Sequence, residues 1–203
     1  MTSFNILKKY PELLDLNLGE KERTDDLLSI FQRDIENNKN FIFRNRRIYP
    51  IKSQGDADMG RLFKHLTCES KQIKNEDGTF YTARVFEMDR SKRLHWIKHH
   101  INELSPQNVE IFTTEERDDK KRKVKKTYIY DKVEEYIIVL EHQRSVAFYL
   151  LTAYHLNKEY GKRWLSRNLV GINFRHPNVM PNFAVWKTIT YRHWHKWCCQ
   201  PRF

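Results

Sequence analysis

The sequence predicts an α+β fold: a central antiparallel β-sheet with helices packed on one face, followed by a basic, aromatic C-terminal extension. Three observations predict it. Residues Glu134–Leu156, EEYIIVLEHQRSVAFYLLTAYHL, are the most apolar run in a polar chain, and their β-branched and aromatic residues read as two strands, Tyr136–Glu141 and Ser145–Tyr154, around a polar turn at His142-Gln143-Arg144. Within that run Ile137-Ile138-Val139-Leu140 is too continuous for a strand wetted on one face, so the hairpin belongs at the centre of the sheet. Upstream, apolar residues recur at helical spacing in several separate segments.

Residues 1–39 read as an N-terminal arm and helix. The first 22 residues are mixed and charged. Thr24 is placed to cap a helix from Asp25 to Asn37, with two acids in its first turn and Leu27, Leu28, Phe31 and Ile35 on its buried side. The main domain, 40–170, opens with a hairpin over Phe41–Ile51 that has a basic polar turn. Ser53–Asp58 is a turn, and Asp56 or Asp58 caps a helix from Met59 to Leu66, with Met59, Leu62, Phe63 and Leu66 on one stripe. His65 lies at the edge of that stripe near the helix C-terminus, where the helix dipole favours an imidazolium; it reads either as a functional group or as a half-buried histidine bonded to backbone.

Cys68–Gly78 reads as a loop with a turn at Asp77-Gly78. Thr79–Glu87 alternates as a strand with apolar residues on both faces, which sets Arg84 beside Phe80 and Phe86 and obliges its guanidinium to snorkel or find an anion. Asp89 caps a helix to about Leu104, striped by Leu94, Ile97, Ile101 and Leu104. Arg90 and Arg93 lean toward its buried side, and His95, Lys98, His99 and His100 make it strongly basic, which fits a solvated face or a phosphate-binding one.

A short strand, Val109–Thr113, precedes Glu115–Lys126, a charged hairpin tip or loop in which Lys121, Arg122 and Lys123 are candidate contacts to a phosphate backbone; a merely solubilising loop reads equally. After the central hairpin Asn157 caps a last helix, Lys158–Leu169. Residues 171–203 form a basic, Trp-rich extension that reads as a base-stacking surface or as a loose tail.

Composition narrows the function. The chain has 203 residues, 39% hydrophobic and 31% charged, with a net charge of +11, which suits polyanionic partners. No run is long and apolar enough to span a membrane, and the interrupted N-terminus does not read as a signal peptide, so a cytoplasmic protein is expected. Three cysteines suggest no disulfide framework. Cys198 and Cys199, with His193 and His195, lack the two separated pairs of a zinc finger, so no metal is expected. No cofactor motif occurs.

The segments "LFKHLT" (62–67), "ARVFEMDRSKRLHWIK" (83–98), "YIIVLE" (136–141) and "YLLTAYHLN" (149–157) resemble, in order and rough spacing, the phage-associated nucleases of the barnase–EndoU–colicin–RelE superfamily. The resemblance covers about residues 40–165. It implies helices on one face of the sheet and, on the other, a metal-independent ribonuclease site without a cofactor, in a toxin or phage effector with RNA as substrate and an immunity or antitoxin protein as partner. The positions matching its active residues are His65, Arg84, Arg90, Arg93 and Thr152, with Tyr154 on the same strand face as Thr152. No catalytic glutamate stands out; Glu141 and Glu87 are the candidates. A non-enzymatic nucleic-acid-binding module or a phage structural protein is the alternative.

Overall fold

The strand predicted to be the centre, β9 (Tyr136–Gln143), is dry on both faces: Tyr136, Ile137, Ile138, Val139 and Leu140 are all buried. Burying each such side chain stabilises the fold by about 1.5–3 kcal/mol, so this strand needs neighbours on both edges and cover on both sides. The computed structural model supplies them; it describes residues 4–50, 52–53, 56–118, 120–144, 146–157 and 161–163. A six-stranded sheet runs in the order β1 (Ile42–Phe43), β2 (Arg46–Pro50), β10 (Ala147–His155), β9, β8 (Lys123–Asp131), β7 (Val109–Arg117). The larger core joins one face of this sheet, through Ile48, Ile129, Ile138, Leu140, Phe148 and Leu150, to the buried sides of the helices. A smaller cluster of Phe112, Tyr128, Ile137, Val139 and Leu156 covers the other face.

The fold is α+β, but the sheet is mixed. β2 pairs with β10 in parallel, Arg47 opposite Ala147 through Pro50 opposite Leu150. Alternation predicts which residues of β2 turn inward (Ile48 and Pro50, level with Phe148 and Leu150), but a period of two reads the same in both strand directions. The β1–β2 hairpin forms as expected, its turn residues Arg44 and Asn45 both at positive φ, which matches the twist of the strands it joins. β3 (Lys52–Ser53) and β4 (Asp56–Ala57) then make a small bridge where a turn was expected.

Several other expectations need correction. The first long helix, α1, is Glu20–Phe31, running on through a wider turn at Gln32–Glu36; Thr24 sits inside it, its hydroxyl bonded to the Glu20 carbonyl, and does not cap it. Residues 68–78 are not a loop. β5 (Cys68–Lys74) and β6 (Phe80–Phe86) form a separate antiparallel ribbon, with Gly78 at φ 87° in its turn. The ribbon is largely exposed, so β5 never needed the apolar alternation that betrays a half-buried strand, and β6 is not covered on both faces. The helix expected over 89–104 breaks into α3 (Met88–Ser91) and α4 (Trp96–Ile101), and Glu87, not Asp89, caps α3 by accepting from the Asp89 and Arg90 amides. The break turns Trp96 inward, where Nε1 donates to the Glu12 carbonyl, and leaves the Lys92 carbonyl to accept from the Leu14 amide. The N-terminal arm is thereby part of the core. The charged segment 115–126 is mostly paired strand, with its turn between Arg117 and Lys123. Of the predicted last helix only the helical turn 161–163 is described, and the extension 171–203 lies outside the described residues.

α2 (Met59–Thr67) forms as expected, with Asp58 accepting from the Arg61 amide at its start. It packs against β10 beyond Leu150, where a register shift at Leu151 follows the last pair with β2 and leaves that edge to the helix.

Two histidines lie deep beside the N-terminal arm. His95 is 6% exposed, its ring against the backbone of Lys9 and Glu12, and His100 sits 3.3 Å from the buried Asp131 carboxylate. Burial pushes both down to about 4. An unfolded histidine titrates near 6.5, so as pH falls from about 6.5 toward 4 the unfolded chain takes up protons that the folded chain refuses. Stability is therefore expected to fall through that window and to be insensitive to these groups above it. Urea midpoints that stay level between about pH 7 and pH 5 would contradict this placement of the two rings.

Candidate functional site

The C-terminal end of α2 leaves carbonyls with no partner inside the helix, at the negative end of its dipole. The chain supplies donors from three other elements. Arg90, in α3, donates from one Nη1 to both the His65 carbonyl (2.7 Å) and the Cys68 carbonyl (2.9 Å). Thr152 of β10 donates to the same His65 carbonyl at 3.4 Å. Ser91 Oγ and the Glu87 amide take the Thr67 carbonyl. Arg84, on β6, lies 3.5 Å from the Cys68 carbonyl, a marginal contact, but its Nη2 is 3.1 Å from His65 Nε2. The Arg90 guanidinium also lies over the Tyr154 ring, 5.7 Å from its centroid.

Thus His65, Arg84, Arg90, Thr152 and Tyr154 converge where α2 ends against β10, with β6 and α3 contributing the two arginines. Arg93 does not join by direct contact. It is nearly buried, donates to the Asp89 carbonyl, and lies over Trp96. His95 is buried beside the arm, and Lys98 pairs with the buried Asp34, so neither belongs to this cluster. At the β7–β8 turn Arg122 is tied to Asp118 through its amide and its Nε, while Lys121 adopts a positive φ. Lys121, Arg122 and Lys123 therefore sit together at one hairpin end, remote in sequence from the cluster.

Electrostatics decide what the cluster can do. Burial, then the positive charges of Arg84, Arg61 and Arg90, push His65 down to about 4, against the weaker opposing pull of Asp58. The ring is neutral at physiological pH. Arg84 Nη2 is 3.1 Å from Nε2 and 3.5 Å from Nδ1, so the guanidinium lies over the imidazole ring and places its charge close to both nitrogens. The helix-end argument that favours a charged histidine at this position is overruled by desolvation and three cations. A phosphodiester docking on Arg84 would offset that positive charge and move the imidazole back toward the range in which it exchanges protons near neutrality.

One residue set aside by alternation and one group hidden in a charged segment also stand out. Period-two alternation sets His155 apart from Thr152 and Tyr154, yet its ring lies near Arg93, whose charge joins burial in lowering it, and Nδ1 is buried without a partner. On the sheet face away from the helices Glu116 accepts from Lys126 Nζ (2.9 Å), Thr114 Oγ1 (2.8 Å) and Tyr128 OH. Burial raises both Glu116 and the neighbouring Glu141, but at Glu116 the Lys126 charge and then those bonds outweigh it and hold the carboxyl below the usual range. Their common signal is spacing of two along paired strands, hidden in a segment whose charges read as a solvated loop. Of the carboxylates considered from sequence, Glu87 is occupied as a helix cap. Among the described residues no group of three or more His, Cys, Asp or Glu side chains is placed to hold a metal, and Cys198, Cys199, His193 and His195 lie outside them. No helix of the described residues is long and apolar enough to cross a membrane.

Comparison with protein-family models, with curated proteins and with solved structures finds no match to the chain.

The two arginines of the cluster should separate by stability. Arg90→Ala removes the shorter of two donors from the His65 carbonyl and the 2.9 Å donor from the Cys68 carbonyl, and is expected to cost about 2–3 kcal/mol in urea unfolding. Arg84→Ala, at an exposed position, is expected to change stability by less than about 0.5 kcal/mol. Equal losses in the two variants would show that Arg90 does not hold the helix end.

Proposed function

We propose that the chain is a metal-independent endoribonuclease of the barnase–EndoU–colicin–RelE type, with the His65 cluster as its active site. The observation that carries this reading is the 3.1 Å approach of Arg84 Nη2 to His65 Nε2, with Arg90 and Thr152 anchored on the backbone of that same histidine. RNA carries its own nucleophile. Cleavage requires that the 2′-OH lose a proton, that charge on the phosphoryl oxygens be met, and that the departing 5′-oxygen gain a proton. Arg84 is the phosphate ligand in this scheme. As it turns to the phosphate it uncovers the imidazole, which accepts the 2′-OH proton; the 2′-oxygen bonds to phosphorus as the P–O5′ bond breaks, and solvent water supplies the proton to the departing 5′-oxygen. Arg90 and Thr152 are positioning residues that fix the end of α2, and Tyr154 packs beneath the Arg90 guanidinium. DNA lacks the 2′-OH and would not react by this route. The net charge of +11 and the α+β architecture support the reading, and an immunity or antitoxin protein would be its natural partner.

A specific observation favours a second reading, a nucleic-acid-binding module without turnover. Arg90 and Thr152 already serve the His65 carbonyl, and an imidazole near 4 is a weak base until an anion arrives.

Incubation of the purified protein with transfer, ribosomal and messenger RNA in EDTA is expected to yield fragments ending in 2′,3′-cyclic phosphate. His65→Ala should lower the rate by about 10²–10⁴-fold with an unchanged circular-dichroism spectrum. Tight, salt-sensitive binding with every RNA left intact would favour the second reading and exclude the first.

A further inference from the structure

The β5–β6 ribbon carries an unusual surface for a part of the chain that packs mostly on itself. It meets the rest of the described fold chiefly through α2 at its base. Near its far end Phe80 is 65% and Tyr81 48% exposed. Cross-strand register sorts its side chains into two faces. Lys74 pairs with Phe80, Gln72 with Thr82, Ser70 with Arg84 and Cys68 with Phe86, so these residues share one face. The other face carries Ile73, Tyr81, Lys71, Ala83, Glu69 and Val85, with Lys71 bridged to Glu69. The first face holds two cations, two aromatic rings and no carboxylate; of the rings, Phe86 at the base packs on the core under Arg23 and Phe80 is the exposed one. The turn beyond it carries Glu76 and Asp77, and Asp77 is engaged by the amide and hydroxyl of Thr79.

This face leads to the candidate site. Arg84, which approaches His65, lies on it, and no linker separates α2 from β5: Thr67 ends the helix and Cys68 begins the strand. Phe80 and Arg84 are four residues apart on one strand, a rise of about 13 Å. An extended chain of alternating phosphates and flat bases matches an aromatic ring with one cation beside it across the ribbon and a second cation that distance along the strand. In a duplex the base faces are stacked on one another, so an aromatic side chain on the ribbon has nothing to stack on.

We propose that the β5–β6 ribbon is a binding arm for single-stranded RNA: a base stacks on Phe80, Lys74 and Arg84 take backbone phosphates, and the arm leads the strand to His65. The proposal rests on the RNA reading above and names the form of RNA that the site receives. Gln72 and Thr82, between the two ends, present donors and acceptors to bases or 2′-hydroxyls.

The test uses the full chain and a fluorescent single-stranded RNA 12-mer, with its duplex as the comparison, read by anisotropy over a range of salt. Phe80→Ala is expected to weaken single-strand binding about tenfold, Phe80→Tyr to restore it, and duplex binding to change little. Lys74→Ala should reduce the salt slope by about one. Undiminished single-strand binding by Phe80→Ala overturns the proposal, as does an equal loss on the duplex, which would mark a groove-reading ribbon, or no binding of the 12-mer at all. The arm and the nuclease fail separately. Cleavage that survives Phe80→Ala at full affinity removes the arm and keeps the nuclease. Phe80-dependent binding by a chain that cuts nothing removes the nuclease and keeps the arm.

Discussion

A strand that is dry on both faces imposes conditions on everything around it. β9 cannot lie at an edge, because its amides and carbonyls would be buried without partners, so β8 and β10 must flank it. One side then needs the helices and the N-terminal arm as cover. The arm is held there by polar contacts as well as packing: Tyr10 OH donates to the buried Asp131 (2.7 Å), whose other oxygen accepts from the Val133 and Glu134 amides, and the Tyr10 ring stacks on His99. Asp131 thus joins the end of β8, the turn into β9 and the arm. The demand also reaches the site, since β10 can pair with β9 along its length only by shifting register at Leu151, and it is past that shift that α2 comes to rest.

The end of α2 is where architecture and candidate chemistry share the same atoms. Helix-end carbonyls attract donors, and here most of the donors are side chains from α3 and β10. Arginines brought in for that purpose also raise the local positive potential and hold a histidine neutral beside them. Binding and cleavage of an anionic chain are the two readings proposed for this cationic cluster around a neutral imidazole. The division of labour is physical: Arg90 is committed to backbone oxygens, while Arg84 reaches the imidazole from an exposed strand.

Legibility in the sequence followed burial. The central hairpin, the β1–β2 hairpin and α2 with its Asp58 cap were readable because each has one side in the core and a local signal at its boundary. β5 was not, because CESKQIK has no core to face. The break between α3 and α4 was hidden because Leu94, Ile97 and Ile101 keep helical spacing across it; only Trp96, off that stripe and yet buried, betrays the turn. Strand direction was unreadable, since alternation has no polarity. For the site, His65, Arg84, Arg90, Thr152 and Tyr154 meet as the sequence suggests; Arg93 turns inward as its position implies but stays outside the cluster, and His95 is buried rather than surface-directed because the helix does not run unbroken. The Glu116–Lys126–Tyr128 group was invisible because a charge-rich stretch looks the same whether its ions pair across strands or face water.

The parallel seam between β2 and β10 has a consequence for how the chain is made. Arg47 pairs with Ala147, a hundred residues further on, so the first strands of the sheet have no permanent neighbour until most of the chain has been synthesised. Closing so long a loop is entropically costly, and contacts of this kind slow folding. At elongation rates of about 5–20 residues per second the open edge of β2 waits for several seconds. During that wait it carries Arg46 and Arg47, whose like charges discourage a second nascent chain from pairing there, and Pro50, which has no amide to offer. The arginines and proline of β2 thus guard its own edge through the interval in which its partner does not yet exist.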